Sequence, residues 1–123
     1  MIDKLLEKQK ELQNRLISDR NLKNMTDNKE YWLKQMTLSL FSEVNELMNE
    51  LNWKHWKNEK ELDYEAIKYE AIDILHFLLT VFIVLDMTEK EIVDYYMNKN
   101  KENHERQEGK IKGREDYEIN REG

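Results

Sequence analysis

Residues 69–85, YEAIDILHFLLTVFIVL, decide the fold. From Ala71 onward apolar side chains fall on nearly every face of a helical wheel, the pattern of a helix buried at the centre of a protein. The run is too short and too interrupted to span a bilayer, which takes about 20 apolar residues. Yet it carries Asp73 and His76, with Glu70 one turn before Asp73. A carboxylate in such a setting is costly unless something pairs with it. The candidate partner lies upstream, in Glu43-Val44-Asn45-Glu46.

Composition points to an all-α chain. There is no proline among the 123 residues, and the three glycines, Gly109, Gly113 and Gly123, all stand near the C-terminus. Nothing in residues 1–108 supplies the punctuation that sheets and tight turns need. One domain is expected over residues 1–108. The polar, glycine-punctuated tail 109–123 is either flexible or a lid that orders on ligand. With no cysteine there is no disulfide framework and no thiolate zinc site. The start, MIDKLLEKQKEL, has no continuous apolar region of the kind a signal peptide needs, so the expected compartment is cytoplasmic. A formal charge of -6 argues against a protein that coats nucleic acid. It leaves room for one that handles a single nucleotide through a metal, away from any membrane.

Four helices are expected. The first covers Ile2 to about Ser18, with Ile2, Leu5, Leu12 and Leu16 as its apolar stripe. Gln9 and Gln13 share one face of it. They are either solvated or a pair of amides able to read a base edge, since an amide both donates and accepts. The second covers Lys29 to Leu51, with Met36, Leu40, Val44, Leu47 and Leu51 toward the core and Ser39, Glu43, Glu46 and Glu50 beside them. Trp53-Lys54-His55-Trp56-Lys57-Asn58 follows, able to cap a core or to flank a nucleotide. The third covers Leu62 to Leu85. Thr88 with Glu91 forms a capping-box pattern for the fourth, which runs to Gln107 with Ile92, Tyr95 and Tyr96 inward. Past Asn98 that helix is free of apolar residues, and Lys99, Asn103 and Arg106 share a face, either as a solvated helix end or as a binding surface.

The chemistry sits in Glu43-x-x-Glu46 and Glu70-x-x-Asp73. Each pair projects to one side of its helix. A short connection makes the second and third helices antiparallel neighbours, so the pairs can face each other. Four carboxylates at close range do not all stay ionised without a cation. Hard oxygen ligands suit Mg²⁺ or Mn²⁺. His76, one turn beyond Asp73, is a softer metal ligand, a core histidine or part of a nucleoside pocket. Lys99, Arg106 and Lys57 offer the positive charge that a polyphosphate requires.

Taken together these motifs resemble the all-α nucleoside triphosphate pyrophosphatases, the group of MazG-type enzymes and dimeric dUTPases, with the finer match to the dimeric dUTPases. The resemblance rests on the two acidic pairs, on Trp53-Lys54-His55-Trp56-Lys57-Asn58, and on Asp73-Ile74-Leu75-His76-Phe77. It rests also on Lys99-x-x-x-Asn103-x-x-Arg106-Gln107 and Gln9-x-x-Leu12. It implies Mg²⁺-dependent hydrolysis of dUTP, and of dUDP, to dUMP. Glu43, Glu46, Glu70 and Asp73 would hold the metal, with Glu43 or Glu46 also acting on the water. Lys57, Lys99, Asn103 and Arg106 would grip phosphates. Gln9, Trp53, His76 and Phe77, with Gln13 beside them, would form the nucleoside pocket. The family usually has Asn or Asp where Gln13 stands. The apolar third helix implies a homodimer or larger assembly. The rival readings are a MazG-like pyrophosphatase for another nucleotide and a non-enzymatic helical dimerisation module.

Overall fold

The structure, a computed structural model, describes residues 1–109; the tail from Lys110 lies outside the described residues. These are all-helical: α1 (Ile2–Arg20), α2 (Lys29–Asn49), α3 (Tyr64–Val84) and α4 (Glu89–Gln107). They divide into two compact units, Met1–Met87 with α1 to α3, and a second from Thr88 onward that holds α4. No single helix among them is long and apolar enough to cross a membrane.

Helix ends fall where local chemistry puts them. Asn21 takes the left-handed conformation at φ 51°, and its N–H closes on the Ile17 carbonyl to end α1. Asparagine tolerates that region better than most residues. Asp63 caps α3 by accepting from the Ala66 N–H at 3.1 Å. The helix stops at Leu85, with Asp86 left-handed at φ 56° and the Met87 N–H bonded to the Phe82 carbonyl. Thr88 accepts from the Glu91 N–H at 3.2 Å and starts α4. The side-chain half of the expected cap is therefore in place.

In the first unit α3 packs against both α2 and α1. An ion pair at 2.7 Å joins Lys29, at the start of α2, to Asp86, just past the end of α3, so the two helices run antiparallel. That hydrogen bond, with the charge of Lys29 behind it, holds the Asp86 carboxyl below the usual carboxylate range. The core is built from Trp32, Met36 and Val84, with Ile17, Met25, Leu33, Phe77 and Val81 packed around them. The Trp32 indole N–H donates to the Lys23 carbonyl at 2.9 Å and ties down the α1–α2 connection.

Several expected core positions face out. On α1, Leu5 and Leu12 are exposed, while Gln9 and Gln13 are buried. The inward line of that helix is Ile2, Leu6, Gln9, Gln13 and Ile17, offset from the leucine stripe. On α2, Val44 is exposed, as is Leu51 just past its end, and the inward line runs through Trp32, Met36, Leu40, Glu43 and Leu47. The helix α3 is central but not enclosed, since Ile72 and Leu78 remain exposed. Two helices, α1 and α2, have too little surface to surround an all-apolar third. In the second unit Ile92 is half-buried while Tyr95 and Tyr96, expected inward, are exposed.

Candidate functional site

Glu43 and Glu46 stand three apart on α2, and Glu70 comes from α3 opposite. One carboxylate oxygen from each lies within 4.8 Å of the others. Glu43 and Glu70 are half-buried and Glu46 is exposed. The antiparallel α2–α3 pairing makes this meeting possible, because it sets the C-terminal half of one helix against the N-terminal half of the other.

The electrostatics are unfavourable without a counter-charge. Glu43 Oε2 and Glu70 Oε2 are both buried with no hydrogen-bond donor. A buried acceptor left this way costs the desolvation of the group. Burial pushes the Glu70 carboxyl above its ordinary range, the adjacent Glu43 carboxyl adds to this, and the negative charges of Glu46, Glu43 and Asp73 push the same way. A proton shared between Glu43 and Glu70 would relieve the strain in part. A divalent cation would relieve it more fully. Three carboxylates gathered within 4.8 Å offer the all-oxygen donor set that a hard divalent cation takes.

Asp73 is exposed and lies outside the tight trio, although its charge reaches Glu70. The fourth carboxylate is thus near the cluster rather than in it, and the difficulty of a buried ionised group falls on Glu43 and Glu70 instead. His76 is exposed rather than a core histidine. Phe77, one residue on, packs against the core cluster.

Trp53 and Trp56 do not cap the core, since both rings are exposed. They meet edge to face at 5.8 Å, and the Lys54 ammonium sits 5.5 Å from the Trp53 ring. The loop carrying them is clipped by Asn52, which donates to the Lys60 carbonyl at 2.9 Å and accepts from the Lys60 N–H at 3.0 Å. Lys60 in turn donates to the Asn49 carbonyl at the end of α2. A pocket of about 210 Å³ opens here, with Trp53, Lys54, Lys57 and Lys60 among its lining. An indole face beside three ammonium groups suits an aromatic, anionic ligand.

Gln9 and Gln13 prove to be the buried amide pair rather than the solvated one, at 5% and 6% exposure. Gln9 Nε2 donates to Thr80 Oγ1 at 3.0 Å. Within α4, Arg106 Nη1 donates to Asn103 Oδ1 at 3.3 Å, and Lys99 is exposed. Thr80 and Trp32 carried no signal in the sequence. A threonine inside an apolar run and a tryptophan at a helix start each have many uses.

Among proteins of known activity, the chain is similar to a dCTP pyrophosphatase of Enterobacteria phage T4. The two are 33% identical over 101 residues, which cover 63% of this chain and 59% of that protein. A dCTP pyrophosphatase of Enterobacteria phage LZ5 is 32% identical over the same shares. A DNA replication protein of phage T4 is 31% identical over 94 residues, 57% of this chain and 24% of its own length. The chain therefore spans about three fifths of the dCTP pyrophosphatases it matches. No solved structure matches it. A family model described as dUTPase matches residues 1–88, which include both acidic pairs and stop short of Lys99. On that match, which takes in well over half of the sequence, the chain belongs to the dUTPase family.

Proposed function

We propose that this chain is a divalent-metal-dependent nucleotide pyrophosphohydrolase that converts dUTP to dUMP and pyrophosphate, and also takes dUDP. The observation that carries the reading is the pair of buried, donorless oxygens on Glu43 and Glu70 inside a three-glutamate cluster. That donor set is all oxygen and fits Mg²⁺ or Mn²⁺. Glu43, Glu46 and Glu70 would hold the metal, with Asp73 as the fourth carboxylate. The bound metal would supply charge neutralisation on the phosphate oxygens and a more acidic water. Glu43 and Glu46, the α2 carboxylates, are the candidates to orient that water and accept its proton. Lys57, Lys99, Asn103 and Arg106 are assigned to the phosphate chain on the resemblance of their spacing. Gln9, Gln13, Trp53, His76 and Phe77 are assigned to the nucleoside.

A second reading keeps the chemistry and changes the base. Two of the similar phage proteins are named dCTP pyrophosphatases, which favours dCTP as an alternative substrate. Steady-state kinetics on a panel of deoxynucleoside triphosphates with Mg²⁺, and with chelator, tests both. A pyrimidine triphosphate is expected to lead, with no turnover in chelator. Equal turnover of all nucleotides would favour a MazG-like housekeeper, and none would leave a helical interaction module.

The same proposal includes self-association. Leu38 and Phe41 on α2, at 63% and 71% exposure, with Ile72 and Leu78 on α3, leave apolar faces uncovered. A second copy of the chain would cover them. Sedimentation is expected to give a dimer or larger at micromolar concentration; a folded, active monomer there would contradict it.

A further inference from the structure

Two glutamines occupy the inward face of α1, each more than nine-tenths buried, while two leucines of the same helix are exposed. Hiding amides in place of leucines is unfavourable unless the amides have work to do. One of them is already committed. Thr80, fully buried, donates its hydroxyl hydrogen to the His76 carbonyl at 3.0 Å and accepts from Gln9 Nε2 at 3.0 Å. A hydroxyl has a single hydrogen to give. Since His76 takes it, the oxygen can only accept on the side of Gln9. The Gln9 amide must therefore turn its nitrogen toward Thr80, leaving one N–H and the carbonyl Oε1 for something else. The flipped amide would need the hydroxyl to abandon His76, with one hydrogen bond fewer in a buried place, a disadvantage of about tenfold. Gln13, one turn on, makes no side-chain hydrogen bond among the described residues. This is an amide pair with donor and acceptor capacity to spare, one of them held in a fixed orientation.

The position suits a base. Thr80 lies on the face of α3 that carries Glu70, Asp73 and Phe77, at spacings of three, four and three. It stands two turns, or about 10 Å, beyond Asp73. A nucleotide with its phosphates at the acidic cluster would carry its base along that face toward Gln9. Uracil and cytosine have nearly the same shape. They differ in polarity along one edge: uracil donates at N3 and accepts at O4, whereas cytosine accepts at N3 and donates at N4. An amide in one orientation complements one of these edges, and the flipped amide complements the other. A freely turning glutamine would read both.

We propose that Thr80 is a positioning residue that locks the Gln9 amide and so makes the site distinguish uracil from cytosine. This rests on the nucleotide-hydrolase reading above and adds the means of base selection to it. The test compares kcat/KM for dUTP and dCTP in the wild type, Thr80→Val and Thr80→Ser. The wild type should favour one base. Thr80→Val, nearly isosteric but without the hydroxyl, should cut that preference about tenfold, chiefly by admitting the disfavoured base. Thr80→Ser, which keeps the hydroxyl, should restore it. Loss of packing alone would lower both rates and leave the ratio unchanged. A ratio within about twofold of the wild type in folded Thr80→Val, or a wild type with no preference, overturns the lock. Turnover of neither nucleotide by the wild type would instead sink the hydrolase reading, and the lock with it. A measurement free of any variant stands beside these: the Gln9 side-chain amide protons of the wild type should exchange slowly with solvent in NMR, and exchange as fast as an exposed glutamine would also overturn the lock.

Discussion

Glu70→Gln is expected to melt at a higher temperature than the wild type when no divalent cation is present, and to lose its hydrolytic activity. The substitution is nearly isosteric, so the packing around a half-buried side chain is kept. What changes is charge. In the wild type Glu70 brings a carboxylate into a partly desolvated place beside Glu43, Glu46 and Asp73, and its buried Oε2 has no donor. These causes raise its pKa on folding, so the native state binds that proton more tightly than the unfolded chain does. Stability therefore falls as pH rises from the ordinary glutamate value of 4.5 through the raised folded value, and the penalty is fully present above it. Glutamine carries no such penalty, and its N–H₂ can donate to the orphaned Glu43 oxygen. The gap in melting temperature between variant and wild type should thus be wide at pH 8 and close at pH 4. With Mg²⁺ the order should reverse, because the wild type gains a bound ion that the variant holds less well. Activity should fall on the order of 10²-fold or more, the scale for removing a group that stabilises charge in a transition state. A variant that melts lower than the wild type without metal would mean that Glu70 serves the fold.

Lys99→Ala and Arg106→Ala are expected to weaken catalysis far more than folding. Lys99 is exposed and Arg106 is held by Asn103 on its own helix, at a helix end without apolar residues. Neither side chain belongs to the core cluster. If they bind the phosphates, each should cost about 2–4 kcal/mol of transition-state stabilisation, read as a drop in kcat/KM at nearly constant melting temperature. Asn103→Ala should produce a smaller loss of the same kind, through a less well oriented Arg106. Unchanged kcat/KM in both cationic variants would make that face a solvated helix end.

Much of this was legible in the sequence, for reasons that can be named. The absence of proline and early glycine, and the cap at Thr88, mark the helices to within a few residues of their ends, while the Asp63 cap that starts α3 emerges only in the structure. The i, i+3 pairs Glu43/Glu46 and Glu70/Asp73, on helices expected to be antiparallel neighbours, predict four carboxylates facing one another, of which the structure gathers three. Burial was harder to read. Leucine at 5 and 12 looked like a core stripe, yet the helix is rotated so that glutamines face inward. Hydrophobic periodicity gives a helix a phase only when its buried face is apolar, and here two buried positions are amides. Val44, Ile72 and Leu78 read as interior by their apolar character, yet all three are exposed among the described residues. Asp73 was expected inside the carboxylate cluster because its helix looked enclosed; with that face open, Asp73 stands exposed at the cluster's edge. Thr80 could not be found from the sequence at all. Its role depends on Gln9, 71 residues away in the chain.

The central claim is that Glu43, Glu46 and Glu70 form a divalent-metal site. Titration of the metal-free protein with Mn²⁺, followed by the loss of the free-ion electron paramagnetic resonance signal, addresses it most directly. Saturable binding is predicted for the wild type, weakened about tenfold or more in Glu70→Gln while the variant keeps its helical circular dichroism. Equal binding by the two proteins, or no saturable binding by the wild type at millimolar Mn²⁺, would contradict the metal site and the hydrolase built upon it.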